Sequence, residues 1–177
     1  MRTIETPIYN YSDLLLPENK NVLDNIVKNW DDDYFYIWDE SHKSVKGFHN
    51  YFGFTNEGHR SWLDFNLNCD DEIEELKGES LKKYLEENFS VSTIFSCCPF
   101  TGVCYDETLL TPFRDFLLNQ NKYENFENTN LKDLFNDAFY SLRNCIHDEI
   151  DYRNSEESIL ETIESNDYEF YENGKFA

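Results

Sequence analysis

Glycine and proline are scarce in this chain, at 6 and 4 of 177 residues, which leaves little room for flexible linkers. Basic residues are scarce as well: 15 Lys and Arg face 36 Asp and Glu, for a formal charge of −21. Such a chain repels nucleic acid and anionic membrane, and its self-repulsion costs some stability. Basic protein surfaces should attract it, with fast and salt-sensitive association. No run approaches the roughly 20 apolar residues of a membrane span. The opening Met1-Arg-Thr-Ile-Glu has no apolar signal region. The five cysteines, Cys69, Cys97, Cys98, Cys104 and Cys145, are odd in number and lack the paired Cys-x-x-Cys spacing of structural zinc. Together these absences predict a cytoplasmic protein with reduced thiols, no membrane segment and no cofactor.

What the chain has in abundance is aromatic residues, 15 Phe and 12 Tyr among them, so wholesale disorder is excluded despite the charge. Its length fits one compact domain spanning residues 1–177 and large enough to bury a real core.

Thr3 to Tyr11 reads as an extended segment, at most an edge strand because Pro7 lacks an amide donor. Asn21 is placed to cap a helix running to Trp30, with Val22, Leu23, Ile26, Val27 and Trp30 on its apolar face. Asp31-Asp32-Asp33 complements the start of a second helix, on which Trp38, Val45, Phe48 and Phe52 recur at helical spacing. Gly53 then sits where a left-handed cap belongs. After the turn at Asn56-Glu57-Gly58, Leu63, Phe65 and Leu67 alternate with polar residues as in a half-buried strand. Short helices follow, from Asp70 to a stop at Gly78 and from Ser80 to Glu87. Val91 to Cys97, rich in β-branched residues, is the expected central strand. Thr111-Pro112 marks the start of a further helix, because proline at the first position loses no needed bond.

The C-terminal third carries the clearest pattern. From Asn130, Leu131, Leu134, Phe135, Ala138, Leu142, Cys145 and Ile146 form one face of a long helix at 100° per residue. Ser155 caps a second helix with Ile159, Leu160 and Ile163 inward, and Asn166 is its expected stop. Tyr168, Phe170 and Phe176 flank Glu172-Asn173-Gly174, and Asn-Gly is a strong hairpin signal because both turn residues need positive φ. The expected fold is therefore α+β: a small, mainly antiparallel sheet of four to five strands packed against several helices, with a C-terminal helix pair and β-hairpin.

No catalytic constellation stands out, and the expectation is a protein that is not an enzyme. Cys98 or Cys104 with His59 or His147 can be drawn as a nucleophile and base, but nothing in the spacing brings them together. Buried thiols at a strand end are the default for Cys97, Cys98 and Cys104. His42 and His49 are seven apart without a third ligand. His147, Asp148, Glu149 and Asp151 form a dense polar knot, yet Glu149 points to the apolar side of its helix while Asp148 and Asp151 point away. Outward carboxylates remain: Asp133, Asp137, Asp148 and Asp151 on the long helix, and Glu157, Glu161 and Glu164 on the next. Residues four apart on a helix advance about 6 Å, so they form an approximate charge ladder beside the 3.4 Å advance of successive phosphates. Tyr152, Tyr168 and Tyr171 are the nearby candidates for aromatic anchors.

The opening Met1-Arg-Thr-Ile-Glu-Thr-Pro-Ile-Tyr-Asn-Tyr-Ser-Asp-Leu-Leu resembles the start of a family of small proteins of phages and mobile elements. So does the ending from Ser155 to Ala177, with its capped helix, aromatic strand and final Asn-Gly turn. Ile94-Phe95-Ser96 and Gly102-Val103-Cys104-Tyr105 are similar to that family's middle strand and loop. Where members commonly carry Gly-Asp-Gly, however, this chain has Cys97-Cys98-Pro99-Phe100-Thr101. Some members are labelled as the antitoxin of a toxin–antitoxin system. The resemblance implies a phage, prophage or plasmid setting in a bacterial cytoplasm, where small acidic proteins often inhibit host defences. The expected function is inhibition of a nucleic-acid-targeting defence nuclease, as an anti-CRISPR of a type II system. It would bind a basic host nuclease through a nucleic-acid-mimicking acidic surface, without binding nucleic acid itself. The alternatives are an antitoxin or regulatory protein with a basic partner and, third, a metal-dependent hydrolase.

Overall fold

Helices account for 71% of the residues that the computed structural model describes, 6–53, 71–118 and 125–177. In chain order they are α1 (Tyr11–Leu14), α2 (Lys20–Asn29), α3 (Phe35–Phe52), α4 (Asp71–Glu74), α5 (Gly78–Asn88), α6 (Val91–Ile94), α7 (Cys104–Leu118), α8 (Leu131–Arg153) and α9 (Glu156–Asn166). Among the described residues the only sheet is a two-stranded antiparallel ladder. It is made by β1 (Ile8–Tyr9) and β2 (Phe170–Tyr171), with Ile8 opposite Tyr171 and Tyr9 opposite Phe170. The expected α+β fold with four to five strands is therefore overturned in favour of a mainly helical one. No helix among the described residues is long and apolar enough to cross a membrane.

Val91 to Cys97 shows why the expected sheet does not form. Ser90 accepts the Thr93 amide at 3.3 Å and starts the one-turn helix α6. The carbonyls of Ile94 and Ser96, which a strand would offer to a neighbour, are taken instead by the Arg114 guanidinium. The β-branched residues thus lose to tertiary context, as strand propensity often does. The expected strand at Leu63–Leu67 and the turn at Asn56-Glu57-Gly58 lie outside the described residues.

Chain contacts divide into two compact units, Phe35–His147 and the pair of segments Met1–Tyr34 and Asp148–Ala177. The larger unit is built on aromatic packing. Phe48 is fully buried, and its ring centroid lies 4.8 Å from Phe52, 5.7 Å from Phe113, 5.2 Å from Phe135 and 5.9 Å from Phe139. These pairs are edge-on, the arrangement the ring quadrupole favours. α3 buries Ile37, Ser41, Ser44, Val45, Phe48 and Phe52, whereas Trp38, expected on that face, is 44% exposed. Two serines hold positions that a hydrophobic pattern assigns to large residues, and the Ser41 hydroxyl satisfies itself by donating to the Ile37 carbonyl at 2.6 Å. Gly53 has φ +74° directly after α3, as its capping role requires.

Pro112 lies inside α7 and not at its first position. An interior proline costs about 3 kcal/mol. The burial of Leu109, Leu110, Phe113 and Phe116 around it offsets that cost. The helix starts at Cys104 because Asp106, in its first turn, reaches back to the preceding loop. That carboxylate is fully buried and accepts the Phe100 amide at 2.8 Å, the Thr101 amide at 2.7 Å and the Thr101 hydroxyl at 3.0 Å. The same hydroxyl stands 3.1 Å from Ser44 Oγ of α3. Phe100 rests on α3 at Gly47, where an added β-carbon would come within 2.5 Å of Phe100 Cβ.

Gly78, expected to stop a helix, is the first residue of α5. α2 begins one residue before Asn21, after a 3₁₀ turn at Pro17–Asn19. α8 carries the predicted apolar face, with Leu131, Leu134, Phe135, Ala138, Leu142 and Ile146 buried and Cys145 half-buried.

Candidate interaction surface

The smaller unit draws 64 residues from two distant segments, with 17 acidic side chains against five basic ones. Its core is Leu14, Val22 and Ile26 from the first segment and Ile159, Ile163 and Phe170 from the second. α9 is the element that presents carboxylates. Ser155 Oγ accepts the Ser158 amide at 3.2 Å to start it. Asp167 ends it in the left-handed conformation at φ +52°, and the Tyr168 amide closes the last turn on the Ile163 carbonyl at 3.1 Å. Asn166 is the last residue of α9, one before that stop. With Ile159 and Ile163 turned into the core, Glu157, Glu161 and Glu164 are left exposed.

At the end of α8, Asp148 and Asp151 are exposed and Glu149 is half-buried, as their helix phases require. Arg153 lies 3.2 Å from Glu149 and 3.6 Å from Asp32. Burial would lower the Arg153 pKa, but the two carboxylates outweigh it and the value is raised. The Tyr152 hydroxyl donates to Glu161 Oε2 at 3.2 Å and links α8 to α9. Tyr168 is exposed, and Tyr171, in β2, is half-buried.

Eight of the ten sequence-predicted contact residues therefore share this unit: Asp148, Asp151, Tyr152, Glu157, Glu161, Glu164, Tyr168 and Tyr171. Asp133 and Asp137, both exposed, belong to the larger unit. Asp133 has a structural task as well: its carboxylate accepts the Asn130 amide at 3.0 Å while the Asn130 side chain accepts the Asp133 amide at 2.9 Å. That reciprocal pair is a capping box for α8.

Sequence reading missed the acids that the fold brings in from the first segment. Asp24, Asp31 and Asp33 are exposed and Asp32 is half-buried in the same unit, more than a hundred residues from Glu157 in sequence. Only the pairing of α2 with the C-terminal hairpin reveals them. There the Asn25 and Asn29 side-chain amides donate to the Glu172 and Asn173 carbonyls at 3.0 and 3.2 Å. The turn itself differs from the expected two-residue form. Gly174 alone has positive φ, Asn173 does not, and the Tyr171 amide donates to the Lys175 carbonyl at 2.9 Å. This is a three-residue loop with glycine at the left-handed position.

Cys97 and Cys104 are exposed and Cys98 half-buried, which corrects their expected burial at a strand end. Burial raises the Cys98 pKa, and the neighbouring Cys104, Asp106 and Cys97 add to it, the opposite direction from the lowering that activates a thiol. His42 is exposed and His49 buried, and His59 and Cys69 lie outside the described residues. Among the described residues no three His, Cys, Asp or Glu side chains are grouped to hold a metal ion.

Trp30 lines two cavities of the smaller unit. One, of about 310 Å³, is walled by Ile26, Asn29, Asp31, Phe170, Gly174, Lys175 and Phe176. The other, of about 340 Å³, is formed by Asp32, Glu149, Tyr152, Arg153, Ser158 and Thr162. Compared with protein-family models, with curated protein sequences and with solved structures, the chain matches none.

Proposed function

We propose that this protein is an inhibitor that works by binding: its acidic surface docks on the Lys- and Arg-lined channel where a bacterial defence nuclease holds nucleic acid. The observation that carries this reading is the concentration of 17 acidic against five basic side chains in one 64-residue unit, with Glu157, Glu161 and Glu164 exposed along one helix. Carboxylates arrayed on a folded scaffold compete with phosphates for the same cations without ordering a flexible chain first. The phage or mobile-element setting that the terminal motifs resemble is consistent with such a role, exercised in the bacterial cytoplasm. An RNA-guided nuclease of a type II CRISPR system is the first target to test.

The test is nuclease cleavage with and without the protein, over a panel of defence nucleases, followed by a salt titration of binding. The reading predicts inhibition of at least one nuclease and an affinity that falls steeply with ionic strength. Unaltered cleavage across the panel would overturn it.

A further inference from the structure

The cavity of about 310 Å³ beneath Trp30 has a different chemistry from the acidic face around it. Its size sits at the lower end of ligand pockets, enough for one long side chain and small for a drug-sized molecule. Three of its lining residues are aromatic, Trp30, Phe170 and Phe176, and the Trp30 and Phe176 ring centroids are 6.4 Å apart with planes inclined at 47°. Phe176 is steadied by Tyr168 at 5.1 Å and Phe170 at 4.8 Å, yet remains 60% exposed. The polar groups in the lining are Asn29, Asp31 and Lys175. Lys175 is fixed to the turn through its main chain, its amide on Asn173 Oδ1 at 3.1 Å and its carbonyl on the Tyr171 amide.

We infer that this cavity receives one arginine side chain of the partner, stacked on the Trp30 and Phe176 rings with its charge met by Asp31. The inference rests on the acidic-surface reading above and names what that surface grips. Guanidinium is planar, weakly hydrated and stacks on aromatic faces, properties a compact ammonium lacks. In the wall of the second cavity lined by Trp30, this chain's own Arg153 guanidinium is met by carboxylates in the same way, 3.6 Å from Asp32 and 3.2 Å from Glu149. A partner built to hold nucleic acid is rich in such side chains.

The experiment titrates the full chain with three capped tripeptides, Gly-X-Gly with X arginine, citrulline or norleucine, while following the Trp30 indole N–H resonance. The arginine peptide is expected to shift that resonance and to bind about ten-fold more tightly than the isosteric, uncharged citrulline peptide. Asp31→Asn should weaken the arginine peptide several-fold, and Lys175→Ala should tighten it. Norleucine binding as tightly as arginine would overturn the inference in favour of a simple apolar pocket, and so would an unmoved Trp30 resonance with all three. Trp30→Ala tested in the nuclease assay separates the two readings. Full inhibition by that variant sinks the arginine pocket and leaves the acidic surface standing, whereas a wild-type protein that inhibits nothing sinks the surface while the peptides still judge the pocket. Should Trp30→Ala fail to fold, Asp31→Asn, at an exposed position, takes its place.

Discussion

Gly174 lies directly on the backbone of Asn25. A β-carbon added to Gly174 would stand 2.6 Å from both the carbonyl carbon and the carbonyl oxygen of Asn25, at a φ of +77° that other residues resist. Because backbone cannot swing aside as a side chain can, Gly174→Ala should destabilise the protein by about 2–4 kcal/mol, combining the left-handed penalty with overpacking. Chemical denaturation reads this directly. An unchanged midpoint would mean that the turn is not seated on α2.

Asp106 tests the larger unit. Asp106→Ala leaves two part-buried loop amides without this acceptor and should cost about 2–4 kcal/mol. Asp106→Asn keeps one oxygen for those amides and should cost clearly less. Equal losses from both variants, again by denaturation, would contradict the hydrogen-bonding account of this carboxylate.

Capping and docking can be separated among the acids of α8. Asp133→Lys breaks the capping box with Asn130 and should lower stability by about 1 kcal/mol. Asp148→Lys, exposed further along the helix, should leave stability within about 0.5 kcal/mol of wild type. Matching thermal midpoints for the two variants would refute the distinction.

Reversing Glu157, Glu161 and Glu164 together to Lys should weaken nuclease inhibition by about 10- to 100-fold, mostly through slower association. An Asp137→Lys variant serves as the comparison. If both proteins inhibit equally, the contact surface lies off α9.

The hydrogen bond from Tyr152 to Glu161 exists only while the phenol keeps its proton, so it raises the Tyr152 pKa above its ordinary 10.0, and the Glu161 charge adds to the effect. A raised value means that the folded state holds this proton more tightly than the unfolded one. The contribution to stability is then complete below pH 10 and fades as pH rises through the folded value. Tyrosine-selective NMR titration should find Tyr152 returning toward 10 in Glu161→Gln. Identical titration in the two proteins would dismiss the bond.

Much of the helical content was legible in local pattern. Asn130 to Ile146 announces α8 because a 3.6-residue apolar period over four turns has no competing reading. Ser155 and Gly53 mark helix ends by side-chain and backbone chemistry that acts within a few residues. The failures are tertiary. Val91–Cys97 reads as a strand until Arg114, some twenty residues on, takes its carbonyls. Pro112 reads as a helix start until buried Asp106 shows where the helix begins. The candidate surface divides in the same way. The phase of Glu157, Glu161 and Glu164 could be read from α9 alone, whereas Asp24, Asp31 and the Trp30 cavity depend on packing between segments far apart in the chain.

The pairing of Ile8 with Tyr171 sets an order of events during synthesis. At 5–20 residues per second, the ribosome adds Tyr171 about 8–30 s after Ile8. Over that interval the residues of Phe35–His147 can emerge and find one another, while Val22 and Ile26 still lack Ile159 and Ile163. The unit that carries the acidic surface is therefore the one that must be completed late, and its apolar α2 stripe is the part of the nascent chain most in need of shielding.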